Sequence, residues 1–302
     1  MSPDGAPQPS WNPIKDAGQI LEYHFMVNAL IAAGLVAVTA GVVGWMMVVR
    51  RETFAGHTLS MMAFPGAAAA ALVGVPAAWG YLFFCGGGAL AIGAVPDGAR
   101  RSWSQESASI GTVQAAALAL GFLFVSLYGG VLGDLESLLF GNLLGISDGQ
   151  VLALAAVALV AAVAMAAIGR PLLFASVDPD VAGARGVPVH ALSRWFLLLL
   201  ALAVAATSEI TGPLLVFALL VMPAATAQAI TVRPALSLTL TVALGLTVAW
   251  LGLSISYYSP YPASFFIATI AFALYVIARL LAGRSREHEP ESVIAAPEGV
   301  IA

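Results

Sequence analysis

The chain has 302 residues, of which 60% are hydrophobic and only 9% charged, with a net charge of −4 and a mean hydropathy of +0.94. A soluble domain carries about 25% charged residues, so this composition excludes a water-soluble fold and reads as an integral membrane protein. The lone Cys85 excludes an internal disulfide and every two-cysteine metal motif; in YLFFCGGGAL it reads as a small buried hydrophobe.

Residues 1–20, MSPDGAPQPSWNPIKDAGQI, lack a basic start and precede an apolar run too long for a signal core. They read as an extracytoplasmic tail, disordered or resting at the membrane interface through Trp11. A helix crossing the hydrocarbon core needs about 20 apolar residues. Nine segments qualify: 24–49, 56–75, 77–95, 107–130, 151–169, 194–210, 211–231, 236–257 and 262–282. The run DLESLLFGNLLG at 134–145 is broken by charges and glycines and reads as a short helix lying at one face.

With the N-terminus outside, Arg50, Arg51, Arg100, Arg101, Arg170, Arg185, Arg194, Arg233, Arg279, Arg284 and Arg286 all fall on the cytoplasmic side, and only Lys15 lies outside. A tenth span at 134–145 would scatter them. The positive-inside bias thus predicts an all-α polytopic bundle of about nine spans, N-terminus out and C-terminus in. Residues 21–282 form the membrane domain, and 283–302 a disordered cytoplasmic tail in which His288, between Glu287 and Glu289, reads as solvated. Small residues stud the first three spans, as close helix packing in lipid requires.

Four stretches carry candidate chemistry. In FAGHTLSMMAFPG at 54–66, His57 and Met61 share a helix face, as do Thr58 and Met62; they either pack and cap, or line the passage of something polar. The cytoplasmic loop at 175–192 contains DPDVAGARG, with an acidic helix start at Asp178-Pro179 and a close at Gly186 before Pro188. It reads as an ordinary capped connector or as a helix that docks in a groove on another protein. Glu209, in ATSEITGPLL at the outer junction of the sixth and seventh spans, is a functional candidate by its depth or an interfacial carboxylate. Pro223 removes one hydrogen bond from the seventh span; VMPAAT could hinge or gate there, with Thr226 satisfying the freed carbonyl, or simply pack. SYYSPYPASFF reads as an interfacial aromatic belt.

From Glu22 to Leu281 the chain resembles the permease subunits of ABC importers for zinc, manganese or iron(II). The resemblance rests on EYHFMVNALIAAGLVAV; on RRETFAGHTLSMMAFPG through Arg51, Phe54, Gly56, Leu59, Ser60, Pro65 and Gly66; and on LLFGNLLGIS. It also rests on DPDVAGARGVPV through Asp178, Pro179, Ala182, Ala184, Gly186 and Pro188, and on GPLLVFALLVMPAATAQAIT through Gly212, Leu214, Leu215, Pro223, Ala224, Ala225 and Thr226. It implies the large (type II) importer fold, a homodimer of permeases in a prokaryotic cell membrane, two cytoplasmic ABC ATPase subunits and an extracytoplasmic metal-binding protein.

By the same resemblance Asp178, Pro179, Ala182 and Gly186 form the ATPase-coupling helix, and His57 and Met61 stand where the family commonly has Asp and His touching the metal in transit. Imidazole and thioether in place of carboxylate and imidazole lean toward zinc or copper(I). Glu209, where the family often has Gln, would receive the cation, and Asp134, Glu136 and Asp148 would face the binding protein. No Walker sequence or other ATP-site pattern occurs, so the chain reads as a transport subunit, not an enzyme. No cofactor is expected to be bound permanently, and ATP acts only through the partner. The rivals are import of a metal chelate, siderophore or vitamin on the same architecture, and secondary transport driven by an ion gradient.

Overall fold

The computed structural model describes residues 13–94, 103–128 and 145–287, and within them every regular element is an α-helix. In chain order these are α1 (Pro13–Glu22), α2 (His24–Val49), α3 (Thr53–Val73), α4 (Ala77–Gly93), α5 (Trp103–Tyr128), α6 (Asp148–Val177), α7 (Pro179–Ala184), α8 (Val189–Ile230), α9 (Pro234–Tyr257) and α10 (Ala263–Glu287). In hydrocarbon a backbone must satisfy its own hydrogen bonds, and the helix does so within one segment. α8 holds two apolar segments, Val189–Glu209 and Thr211–Ile230, joined across Gly212. Among the described residues eight segments are long and apolar enough to cross a bilayer, and α4 is a shorter apolar helix of 17 residues. These nine correspond one for one to the predicted spans.

Three boundaries differ from expectation. Residues 13–22 form α1 instead of a structureless tail; Ile20 is buried and Tyr258 Oη donates to the Asp16 carbonyl at 3.3 Å. α6 does not end at 169 but runs through Arg170 and Pro171 to Val177. Arg170 is exposed on that helix, so its charge can leave the apolar layer without ending the backbone spiral. α10 continues past 282 to Glu287. The 134–145 segment with Asp134 and Glu136, Trp11, Arg100, Arg101 and His288 lie outside the described residues.

The helix ends sort into two groups. His24 at the start of α2 bonds to Asp148 at the start of α6, which marks one end of the bundle. Arg50 at the close of α2 bonds to Ser176 near the close of α6 and to Ser193 near the start of α8, which marks the other, the arginine end. α8 is the hub, packing against α2, α3, α4, α6, α9 and α10. α3 lies between α4, α5 and α8. Close approach depends on missing side chains: a Cβ on Gly66 of α3 or on Gly80 of α4 would run into the other's carbonyl, and one on Gly44 of α2 into that of Leu220. Such contacts replace the hydrophobic drive that helices lack inside lipid.

Candidate functional site

α3 begins immediately after the turn Arg50–Arg51–Glu52, and its first two turns carry the polar residues. His57 is half-buried, with its ring edge-on to Phe217 of α8 at 4.7 Å between centroids and 61° between planes. Its Nδ1 is buried and has no hydrogen-bond partner. One turn on, the fully buried Ser60 donates its hydroxyl to the carbonyl of Pro213. His57 meets Phe217 and Ser60 meets Pro213, so the two helices run antiparallel here. Met61, four residues after His57, is half-buried on the same face.

The other polar residues of this stretch pack. Thr58 is buried and donates to Gln114 Oε1 of α5 at 3.0 Å. Met62 is buried, and its sulfur lies where a Cβ on Gly88 of α4 would project. The structure thus separates a packing face, Thr58 and Met62, from a face on which His57 and Ser60 meet α8 and Met61 shares the helical spacing of His57.

That face meets the one break in α8. Gly212 has φ 75° and ψ 155°, a region open essentially to glycine alone. Pro213 has no N–H, so the Glu209 carbonyl loses its i→i−4 donor. Thr207, Ser208, Thr211, Gly212 and Pro213 are all buried. Thr207 and Thr211 return their hydroxyls to the carbonyls of Ala203 and Thr207 at 2.6 and 2.9 Å, while Ser208 Oγ is buried without a partner. The junction of these two spans presents freed backbone groups and the ends of two helix dipoles to the neighbouring helices. The Ser60 hydroxyl from α3 meets the break directly, and the His57 ring packs one turn further along α8, on Phe217. Among the described residues no group of three or more His, Cys, Asp or Glu side chains comes together.

Glu209 borders the break through its carbonyl, but its carboxylate points to α6. It is half-buried at the end opposite the arginines, where its Oε1 accepts from Gln150 Nε2 of α6 at 3.3 Å. Close in sequence to Gln150, Asp148 Oδ1 receives Asn28 Nδ2 at 2.6 Å and stands 3.0 Å from His24 Nε2. Among the described residues no hydrogen bond or ion pair joins Glu209 to His57 or Met61. Pro223 is buried within an otherwise helical stretch. Thr226 does not satisfy the carbonyl that Pro223 frees, that of Leu219: its hydroxyl donates to Met222 at 2.7 Å. A threonine reaches the carbonyl four residues before it, and that is Met222.

The loop after α6 folds into α7 as its residues predict. The Asp178 carboxylate caps the helix, accepting from Val181 N at 3.0 Å, with Pro179 as first helical residue. Ala182 is fully buried, while Asp180, Val181, Gly183, Ala184 and Arg185 are exposed. Gly186, at φ 80°, reverses the chain, and Val187 N closes the turn on the Ala182 carbonyl at 3.0 Å. α7 is therefore a compact knob at the arginine end, anchored on one side and open on the other.

Sequence reasoning missed Phe217, Gln114 and Arg50. Phe217 stands one turn after Gly212-Pro213, a dipeptide that signals a turn, so the neighbourhood was marked although the contact was not.

A bundle of eight long apolar helices with polar side chains buried between them is a multi-pass membrane protein. The profile of the ABC 3 transport family matches residues 22–282, and the chain belongs to that family. It is 32% identical over 266 residues to the manganese transport system membrane protein MntC of Halalkalibacterium halodurans, covering 86% of this chain and 88% of that one. It is 31% identical over 240 residues to the chelated iron transport system membrane protein YfeC of Yersinia pestis, covering 80% of each chain. Among solved structures, PsaBC from Streptococcus pneumoniae in complex with Fab superposes with a TM-score of 0.78 at 28% identity, over 90% of this chain and 97% of that one. An inward-facing transporter described as of metal-chelate ABC type gives 0.73 over 90% of each chain, and at 16% identity shows the fold alone.

Proposed function

We propose that this chain is the permease subunit of an ATP-driven importer of a divalent transition metal in a bacterial cell membrane. The similarity to manganese and iron transport proteins over most of both chains supports this reading most strongly. A bare dication in the low-dielectric core is prohibitive unless ligands replace its hydration shell, yet ligands that bind too well would trap it. The α3 face offers few and weak ones: the unpartnered His57 Nδ1 and, one turn on, the Met61 thioether. The break at Gly212–Pro213 adds freed carbonyls and lets the two halves of α8 change their angle. In this reading that break is the gate, and Pro223 with Thr226 bends the helix below it.

The positive-inside bias puts the arginine end in the cytoplasm. Glu209, at the opposite end, then meets the cation as an extracytoplasmic binding protein delivers it. α7, with Asp178, Pro179, Ala182 and Gly186, seats on an ATPase subunit. Two copies of the chain enclose the path between them, with one ATPase beneath each.

The cargo is tested by competition. The complex, purified with its ATPase and placed in proteoliposomes, is expected to take up manganese(II), iron(II) or zinc(II) and to be blocked by an excess of the same ion. Zinc outcompeting manganese would match the softer His57–Met61 pair. Uptake of none of the three, with transport of a chelate instead, would refute free-metal import.

A further inference from the structure

Arg50 is heavily engaged at the arginine end. It is 8% exposed, and three of its contacts reach other parts of the chain. Nη1 donates to Ser176 Oγ at 3.2 Å and Nη2 to Ser193 Oγ at 2.7 Å, and the guanidinium carbon lies 5.4 Å from the centre of the Phe196 ring. Nε and Nη2 also donate to Glu52 Oε1 at 3.0 and 2.7 Å.

The positions of these partners matter. Ser176 precedes α7 by three residues, and Ser193 and Phe196 follow it on the first turns of α8, so one planar fork holds both arms of the exposed knob. The same side chain, through Glu52, fixes the turn that opens α3. That turn includes Arg51 at φ 60°, a non-glycine residue in the left-handed region, and it stands five residues before His57. A guanidinium has five donors in a rigid plane and can hold several acceptors in fixed mutual geometry, which an ammonium cannot.

We propose that Arg50 is a positioning residue, a latch by which displacement of α7 is passed to the start of α3 and so to the His57 face. Movement of the knob relative to the bundle shifts Ser176 and Ser193. Arg50 either follows, turning the α2–α3 corner, or lets go. The inference rests on the reading of α7 as the ATPase seat.

Deleting Arg50 would take the guanidinium away from the half-buried Glu52 carboxylate, at a cost to folding. The double variant Ser176→Ala with Ser193→Ala cuts the fork from both arms and keeps the Arg50–Glu52 pair. It is assayed in proteoliposomes with the ATPase, using whichever of manganese(II), iron(II) and zinc(II) the unaltered complex accumulates fastest. Coupling energies correspond to roughly 5–150-fold, so metal taken up per ATP hydrolysed is expected to fall about fivefold or more. ATPase co-purification and ATP turnover should persist, and Ser176→Thr with Ser193→Thr, which keeps both hydroxyls, should restore the ratio.

An unchanged ratio would overturn the latch. So would loss of the ATPase from the variant, since the serines would then hold the seat rather than transmit its motion. The underlying reading is checked separately by cross-linking Val181→Cys to the ATPase in the otherwise unaltered complex. A cross-link with an unchanged ratio removes the latch alone; absence of the cross-link removes the seat and the latch with it.

Discussion

α8 contains two prolines ten residues apart, and only one of them breaks it. At Pro213 the preceding residue is Gly212, with φ 75° and ψ 155°, and the helix divides there into two segments. At Pro223 the neighbours are Met222 and Ala224, and the helix carries on. A proline by itself forfeits one hydrogen bond and bends a helix. Separating a helix into two that can move independently takes a residue able to leave the helical region altogether. The break also has a partner across the bundle, the Ser60 hydroxyl on the Pro213 carbonyl, whereas Thr226 bonds only within its own helix.

Substitutions at and around the two prolines separate their roles. Gly212→Val should have the largest effect. It forces a β-branched residue into backbone space that costs on the order of 1–3 kcal/mol or more, so uptake in proteoliposomes should be abolished and thermal unfolding in detergent should occur earlier. Wild-type uptake in that variant would mean the break is incidental.

His57→Ala comes next. Losing one weak ligand worth about 1.4 kcal/mol changes affinity about tenfold, so metal uptake should drop by that order while the ATPase still co-purifies. Unchanged uptake would take His57 out of the path. Ser60→Ala leaves the buried Pro213 carbonyl without its side-chain partner, a loss of about 1–3 kcal/mol. It should lower thermal stability measurably and uptake by less than His57→Ala. Pro223→Ala should do least, with uptake within about twofold of the original, because it returns a hydrogen bond to an already continuous helix. A large loss there would move the gate from Gly212 to Pro223.

Much of this architecture was legible in the residues, and the limits have physical causes. The membrane spans announce themselves because lipid imposes one simple rule on composition and length. The α7 knob was readable for the same local reason: the Asp178 cap, Pro179 start and Gly186 reversal act within a few residues. Hydropathy ended the fifth span at Arg170, but helix formation responds to backbone geometry, and α6 runs on to Val177.

What stayed hidden is long-range. Arg50 finds Ser176 and Ser193 at separations of 126 and 143 residues, and nothing at Arg50 distinguishes such a latch from a charge that merely sets topology. The His57 face was marked by its helical spacing, but not which of its polar residues pack. Thr58 and Met62 turn to α5 and α4, and only the assembled helices decide that. Glu209 reads, from its depth at the outer junction, as a cation-receiving group or an interfacial carboxylate; its bond to Gln150, 59 residues away, could not be read from sequence.

In the proposed mechanism α3 and α8 form a metal path that an ATPase opens. Radiotracer manganese(II), iron(II) and zinc(II) uptake into proteoliposomes holding the permease–ATPase complex, with ATP, without it, and with an imposed ion gradient alone, tests this directly. Accumulation of at least one metal only when hydrolysable ATP is supplied is the predicted result. Equal accumulation on a proton or sodium gradient without nucleotide would contradict it and mark the chain as a secondary transporter.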